Sequence, residues 1–295
     1  MLKYETSIFL KIISGIFFLI SGIVWKKVLM NGVKNYHYIF YRVLATIFFL
    51  VLASIYVQIY DHENRAIIFS TPTVLDWITC ISICLFSFWG LYFYTNAMQT
   101  GRYSFVSSLQ VLLSVFSFIT SLIVYDETLS NSKYYALALI ILGLLLHQRE
   151  KLMQFQLSKE VVLVLLCSIF WGISFVFYLI PIQKFGVLNF SIILEICVLL
   201  SCVGLLFFKE KRLLPLKIDK QSMLLCLLMG FLVASGSLLS NFTLTQFPVS
   251  LNILIGLLFE ILVLAIGLYF FREKLNTKDW LLIVLATIGG FLLLF

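Results

Sequence analysis

The sequence predicts an all-α integral membrane protein of ten transmembrane helices, arranged as two inverted five-helix repeats. Three observations indicate this fold class. Of the 295 residues, 62% are hydrophobic and only 12% are charged, whereas soluble domains average about 45–50% apolar and about 25% charged residues. The apolar residues form long continuous runs, and motifs of the first half of the chain recur in the second. The composition excludes a soluble enzyme and a disordered chain.

Ten apolar runs are long enough to cross a bilayer, which takes roughly 20 residues at about 1.5 Å per residue. Because the runs are continuous rather than alternating, they predict helices and not barrel strands. The predicted spans are residues 7–30, 36–59, 74–97, 103–125, 133–148, 160–181, 186–208, 221–245, 248–271 and 279–295. The longest polar connection, Lys209 to Lys220, leaves no room for a soluble catalytic domain.

An internal repeat divides the chain into residues 1–150 and residues 151–295. The segment 125–130 (YDETLS) resembles 271–276 (FREKLN), which sets Glu127 against Glu273 at an offset of 146. Both glutamates are interpreted as helix-boundary groups. Since each half holds five spans, the second half enters the membrane upside down relative to the first. Inverted repeats are typical of secondary transporters, whose sites lie near the midplane.

Several motifs resemble the drug/metabolite transporter superfamily, EamA type. They are Ser21-Gly22 with Trp171-Gly172, Arg42, and the segments 96–99 (NAMQ) and 127–130 (ETLS). The resemblance covers essentially the whole chain. Within the superfamily, the sequence is similar to the RarD-like branch. Where such transporters usually have a proline in spans four and nine, this chain has Ser114 and Glu260.

Three ionisable residues lie well inside apolar runs: Arg42, Glu195 and Glu260. A charge at a helix centre costs about 2.5–3.5 kcal/mol even on insertion scales, so each should face a partner or a watery cavity. Glu260 lies near mid-span and is the repeat mate of Ser114, and symmetry-related positions such as these two are predicted to line the pathway. Glu260 is predicted to bind a cationic substrate group or to carry a coupling proton, or else to form a structural hydrogen bond or ion pair. Arg42 and Glu195 are predicted to line the central path or to form a stabilising pair.

Polar and aromatic residues of other spans complete the predicted pathway. Tyr94 and Gln110 in the first half, and Asn241 in the second, could contact a substrate. The alternative for Tyr94 is packing, and for Gln110 and Asn241 it is an inter-helix hydrogen bond. The three histidines show no metal-ligand spacing and no catalytic motif occurs, so neither a cofactor nor an enzyme is predicted.

The net charge of +7 is spread over short inter-helix segments. This pattern favours anionic lipid over nucleic acid as the partner. Fifteen cations lie in the loops opposite the termini and five, Lys11 among them, on the terminal face. Positive-inside counting therefore places both termini outside the cytoplasm, whereas the resemblance implies cytoplasmic termini. The predicted location is the cell membrane, in bacteria the inner membrane.

Together these features predict a secondary transporter, exporter or importer, of a small polar or amphipathic metabolite. One half would move against the other around a midplane cavity. No nucleotide-binding motif occurs, so transport would be passive, an exchange with a counter-substrate, or coupled to an ion such as a proton. The expected state is a monomer or homodimer. The alternatives are a membrane scaffold that does not transport and an intramembrane enzyme.

Overall fold

The computed structural model describes residues 2–30, 34–60, 71–101, 111–125, 159–246 and 248–253, with single positions elsewhere. Within these ranges all regular structure is helical, and no strand occurs. The helices are α1 (Leu2–Leu29), α2 (Asn35–Tyr60), α3 (Val74–Thr100), α4 (Val111–Tyr125), α5 (Lys159–Phe177), α6 (Leu179–Phe185), α7 (Val187–Glu210) and α8 (Lys220–Leu244).

Six helical stretches of the described chain are long and apolar enough to cross a membrane. They are Glu5–Leu29, Asn35–Ile59, Val74–Thr100, Lys159–Phe185, Val187–Glu210 and Lys220–Leu244. They match predicted spans one, two, three, six, seven and eight to within a few residues, and the shorter α4 lies inside span four. Spans five and ten, and most of span nine, fall outside the continuous described ranges, so the total of ten stays a prediction.

The helices expose apolar side chains and bury small polar ones. Phe9, Phe48, Leu200 and Phe208 are 56–76% exposed, an arrangement that suits lipid and not water. Several buried hydroxyl groups bond to backbone carbonyls within their own helix; Thr46, for example, donates to the backbone oxygen of Arg42 at 2.9 Å. Such bonds satisfy these hydroxyl groups inside the protein, as a bilayer requires.

The dipeptide Ile180-Pro181 predicts that the sixth span ends or kinks there, and the structure shows an interruption at this place. Helix α5 ends at Phe177, Tyr178 forms a turn, and α6 begins at Leu179. Proline has no N–H to donate to the carbonyl four residues earlier, which here is that of Phe177, and its ring crowds that carbonyl. The helix is therefore interrupted just ahead of the proline, and the prediction is confirmed.

The chain forms two compact units, and each contains residues from both predicted repeats. The first unit comprises Met1–Trp89 and Phe177–Gln246, and the second comprises Gly90–Val176 and Phe247–Phe295. The first unit therefore contains α1, α2, α7 and α8. The predicted boundary at residue 150 separates the two sequence repeats, and it is a different division from that between the two compact units. It stays a prediction.

Small residues of α8 bring helices of the first unit close together. A Cβ placed on Gly230 would lie 2.9 Å from the backbone nitrogen of Thr46 in α2. Further along α8, the carbonyl oxygen of Gly236 accepts a hydrogen bond from the Ser14 hydroxyl of α1 at 2.7 Å. The small residues of α8 thus permit the close approach of α1 and α2.

In the second unit, the Trp171-Gly172 motif sets the packing of α5. A Cβ on Gly172 would lie 2.7 Å from the Cβ of Phe116 in α4, so only glycine allows this approach. The Trp171 ring covers Gly90 of α3. Tyr125 fixes the far end of α4 by donating its hydroxyl hydrogen to the Val176 carbonyl at 3.0 Å.

The segment between α7 and α8 has an ordered boundary at each end. Lys211 adopts a left-handed conformation (φ 57°) and ends α7. Its N–H donates to the Phe207 carbonyl at 3.0 Å, and the N–H of Arg212 donates to the Leu206 carbonyl at 3.5 Å. Asp219 begins α8, because its carboxylate accepts the Ser222 backbone N–H at 2.9 Å. Hydrogen bonds from the side chain and the backbone of Ser222 hold the pKa of Asp219 below its ordinary value.

One residue of the charge count requires correction. Lys11, counted with the loops of the terminal face, lies instead inside α1, where its Nζ donates to the Ser240 hydroxyl of α8 at 2.9 Å. A lysine stem is long enough to reach a polar partner from within an apolar helix, which sequence counting does not reveal. Its removal leaves four cations on the terminal face against fifteen opposite.

Candidate functional site

A buried ion pair joins α2 and α7 in the first unit. Arg42 Nη1 donates to Glu195 Oε1 at 2.8 Å, and the two side chains are only 6% and 8% exposed. The pair reaches between residues 153 positions apart in sequence. Both charges were predicted inside spans, and the structure shows that they pair with one another, which the sequence offered as one of two alternatives.

The pair lies well away from either end of α7. Glu195 is eight residues from Val187 and fifteen from Glu210, or about 12 Å and about 22 Å along the axis. Its neighbours on the buried face of α7 include Leu194, Val198 and Cys202. In such an apolar setting, two opposite charges are stable only when they compensate one another.

One oxygen of the glutamate has no partner. Glu195 Oε2 is buried and accepts no hydrogen bond within the described part of the chain. A buried carboxylate oxygen without a donor is costly, and in native proteins such atoms usually mark a functional group or a bound species. Oε2 could accept a proton or the N–H of a ligand while Oε1 stays on Arg42.

Asn241 approaches the same face of α7 as Arg42. Its Nδ2 donates to the Ser191 hydroxyl at 3.0 Å, and Ser191 lies one helical turn before Glu195, on the same side of the helix. This contact is an inter-helix hydrogen bond, the alternative that the sequence left open for Asn241. Arg42, Glu195 and Asn241 therefore come together in one unit.

The second unit contains two further candidates. Tyr94 is half-buried, with its ring centroid 5.3 Å from that of Trp171, so it packs against the tryptophan of the motif. Ser114 is buried in α4. Neither position is tested as a substrate contact, and both stay predictions.

Two candidates, Glu260 and Gln110, lie outside the described residues, as do the boundary glutamates Glu127 and Glu273. Among the described residues, no group of three or more histidine, cysteine, aspartate or glutamate side chains could hold a metal ion. The described cysteines are free thiols.

A second polar cluster lies where α7 ends beside the start of α2, and sequence reasoning missed it. Glu210 Oε1 accepts hydrogen bonds from Lys34 Nζ at 2.8 Å and Tyr36 Oη at 2.6 Å, and lies 3.3 Å from His37 Nε2. The hydrogen bond to Glu210 raises the pKa of Lys34 above its ordinary value. In the sequence, the cluster is visible only as polar residues at the ends of two spans. The sequence does not indicate that span two lies beside span seven.

The same histidine fixes the loop that follows α7. His37 Nδ1 accepts the Leu216 backbone N–H at 3.2 Å, and the Tyr41 hydroxyl donates to the Leu216 carbonyl at 3.1 Å. Because Nδ1 accepts, Nε2 is assigned the hydrogen and donates to Glu210. The loop is therefore attached to α2 through its backbone.

Long apolar helices with a buried ion pair and internally bonded hydroxyl groups define a multi-pass α-helical membrane protein. The chain belongs to the EamA-like transporter family, whose profile matches residues 5–147 and 158–295. Membership of this family implies a two-repeat architecture and a role in the membrane transport of small solutes. Members of the family are transporters rather than enzymes. The predicted superfamily is confirmed, while the RarD-like branch stays a prediction.

Solved structures support the fold. There are 28 chains of known structure that match this one. One, described as "Crystal structure of protein", has a TM-score of 0.65 and 11% identity, covering 98% of this chain and 96% of that chain. At this identity the likeness shows the fold alone. No curated protein matches the chain.

Proposed function

We propose that the protein is a secondary transporter that moves a small polar or amphipathic metabolite by alternating access, with Arg42 and Glu195 on its transport pathway. The observation that carries this proposal is the buried ion pair with an open oxygen. A purely structural pair gains most when both carboxylate oxygens are bonded. Glu195 Oε2 instead has no donor among the described residues.

The geometry of the pair suggests how it would act. Oε1 remains 2.8 Å from the guanidinium, so a proton or a substrate ammonium at Oε2 would neutralise Glu195 and weaken its attraction to Arg42. The freed guanidinium could then bind a carboxylate of the same substrate. Amines, amino acids and other zwitterions fit this pair best. Coupling to a proton or a counter-substrate would follow from the same competition.

Glu260 is the second carboxylate of the proposed pathway, on the evidence of sequence alone. Its position near mid-span and its symmetry relation to Ser114 support this role. Glu260→Gln is expected to abolish transport while the protein still folds. Transport at the wild-type rate by this variant would remove Glu260 from the pathway.

Ligand-dependent thermal stability tests the proposed role of the pair. Purified protein is screened against amines, amino acids, nucleosides and vitamins, and each hit is tested for movement into proteoliposomes. A ligand at about 100 times its Kd should add roughly 2.7 kcal/mol of stability. The doubly neutral variant Arg42→Gln/Glu195→Gln, which leaves no unpaired charge, should lose this response. Glu5→Gln, the same chemical change at an exposed helix end, should keep it.

A charge exchange separates transport from stability. Arg42→Glu/Glu195→Arg restores an ion pair with its direction reversed, so expression and thermal stability should return. Transport should not return, because the open oxygen then belongs to the other helix. Normal transport by the exchanged variant would show that the pair is structural. Mass spectrometry of both vesicle compartments distinguishes movement of the ligand from its conversion.

A further inference from the structure

We propose that the segment between α7 and α8, together with Lys220 at the start of α8 (residues 211–220), is a docking site for the headgroups of anionic phospholipids. It connects two helices that are long and apolar enough to cross the membrane, so it lies at a bilayer surface. Its sequence, KRLLPLKIDK, alternates cations with large apolar residues. Such segments bind anionic membrane surfaces by inserting apolar side chains and placing cations at the phosphates.

The apolar half of this site is on the surface of the loop. Leu213, Leu214 and Leu216 are 62%, 71% and 44% exposed, although they lie outside any helix. Three exposed leucines within four positions are unfavourable in water and favourable among acyl chains. Phe207 and Phe208, exposed at the adjoining end of α7, continue this apolar surface from the helix to the loop.

The cationic half is not neutralised by the protein. Arg212, Lys217 and Lys220 are exposed and form no ion pair within the described part of the chain. The two nearby carboxylates are used elsewhere. Glu210 accepts from Lys34 and Tyr36, and Asp219 caps α8. An excess of positive charge thus remains for an anion outside the protein.

The loop is held in place before any lipid binds. Its centre, Leu216, is bonded through both backbone groups to His37 and Tyr41 of α2. An ordered loop loses little conformational entropy on binding, which favours a specific site over a transient contact. The attachment also couples lipid binding to α2, the helix that contains Arg42.

Lipid-dependent stabilisation of the full chain in detergent tests this site. Phosphatidylglycerol should raise the melting temperature of the wild type, and phosphatidylcholine with the same acyl chains should raise it much less. Each surface cation contributes about fivefold to the affinity for anionic lipid. Arg212→Gln/Lys217→Gln should therefore weaken the phosphatidylglycerol response roughly 30-fold in lipid concentration. Lys159→Gln/Lys184→Gln, which removes two exposed cations outside the loop, should leave it unchanged.

Further experiments identify whether the bound anion is a lipid headgroup, free phosphate or an acidic peptide. Inorganic phosphate should not replace the lipid, because it offers nothing to the leucines, and Leu213→Ser/Leu214→Ser should weaken the lipid response. An equal response to phosphate would indicate a small-anion site, and a response to an acidic peptide without lipid would indicate a protein partner; either overturns the proposal. An unchanged response in Arg212→Gln/Lys217→Gln would also overturn it. If that variant does not fold, loss of the wild-type response in 0.5 M salt gives the same test.

Discussion

At the scale of single residues, the two acidic groups of α7 differ in their surroundings. Glu210 lies at the membrane surface, where Lys34, Tyr36 and His37 all contact one of its oxygens. Glu195 is buried beside the Arg42 guanidinium, and its second oxygen accepts no hydrogen bond from the residues that the structure describes. Water can replace a lost partner of Glu210 and cannot easily do so for Glu195. Substitutions in the buried pair should therefore have the larger effects.

Removing either charge of the buried pair should destabilise the protein, and Glu195→Gln more than Arg42→Gln. A glutamate left alone can take up a proton, whereas an arginine stays charged. Leaving a buried charge unpaired costs about 3–5 kcal/mol. The doubly neutral variant should lose less than the sum of the single losses. Denaturation in detergent of the wild type, the two single variants and the double variant measures these losses. If the two single losses of stability add up to the loss of the double variant, the two residues are not coupled.

The sequence was sufficient to find the charges of the buried pair but not their surroundings. Arg42 and Glu195 stand out because a charge within an apolar run is rare. Tyr36, His37 and Glu210 do not stand out, since polar residues at span ends are ordinary. Their cluster depends on α2 lying beside α7, 173 positions away. Only the fold supplies that contact.

At the scale of elements, some glycines lie where two helices are in contact and others lie on an open helix surface. Gly230→Ala should separate α8 from α2, because the added Cβ would lie 2.8 Å from the Ala45 carbonyl carbon. Overpacking of this kind costs typically about 1–3 kcal/mol. Gly204→Ala in α7 is the matched control, since no atom of the described residues lies within 4 Å of its added Cβ apart from the backbone of its own helix. It should be neutral or slightly stabilising. Equal melting temperatures for the two variants would contradict this assignment.

The first turn of α8 offers a second test at this scale. Asp219→Ala should lower the melting temperature, because the Ser222 N–H loses its acceptor, whereas Asp219→Asn should nearly preserve it. Hydrogen bonds from the side chain and the backbone of Ser222 lower the pKa of Asp219 from its ordinary value of 3.8. Its stabilisation is thus present above that value and is lost as the pH falls through the lower, folded value.

The control for the capping residue is the pH dependence itself. The advantage of wild type over Asp219→Ala should shrink as the pH falls below about 4, because protonation weakens the carboxylate as an acceptor and alanine does not titrate. A melting-temperature difference that stays constant from neutral to acid pH would show that the carboxylate does not act as a cap.

Helix boundaries were predictable from the sequence, and the packing of helices against each other was not. Apolar runs end where charged or turn residues begin, so spans such as 36–59 and 221–245 agree with α2 and α8 to within a residue. The break before Pro181 follows from its missing N–H. That α2 packs on α7 and α8 depends instead on side-chain shape, such as the small surface of Gly230, and periodicity contains no such information.

At the scale of the whole molecule, the distribution of cations defines the two sides of the membrane. With Lys11 bonded inside α1, the surplus on the face opposite the termini grows. The α7–α8 loop lies on that face, beside the first residues of α2. Helix α2 has 26 residues and is therefore about 39 Å long. Residues 71–73, which precede α3, come in the sequence after the far end of α2. These two segments should therefore face opposite compartments.

Cysteine labelling in intact cells measures the orientation directly. The positive-inside rule places the α7–α8 loop in the cytoplasm, so Leu214→Cys should resist a membrane-impermeant maleimide until the cells are opened. Thr71→Cys, exposed just ahead of α3, should react from outside. The described native cysteines are buried or half-buried, so background labelling should be low. The reverse pattern would place the termini in the cytoplasm, and the cation-rich face would then meet the outer leaflet. In that case the lipid partner of residues 211–220 would have to be sought there.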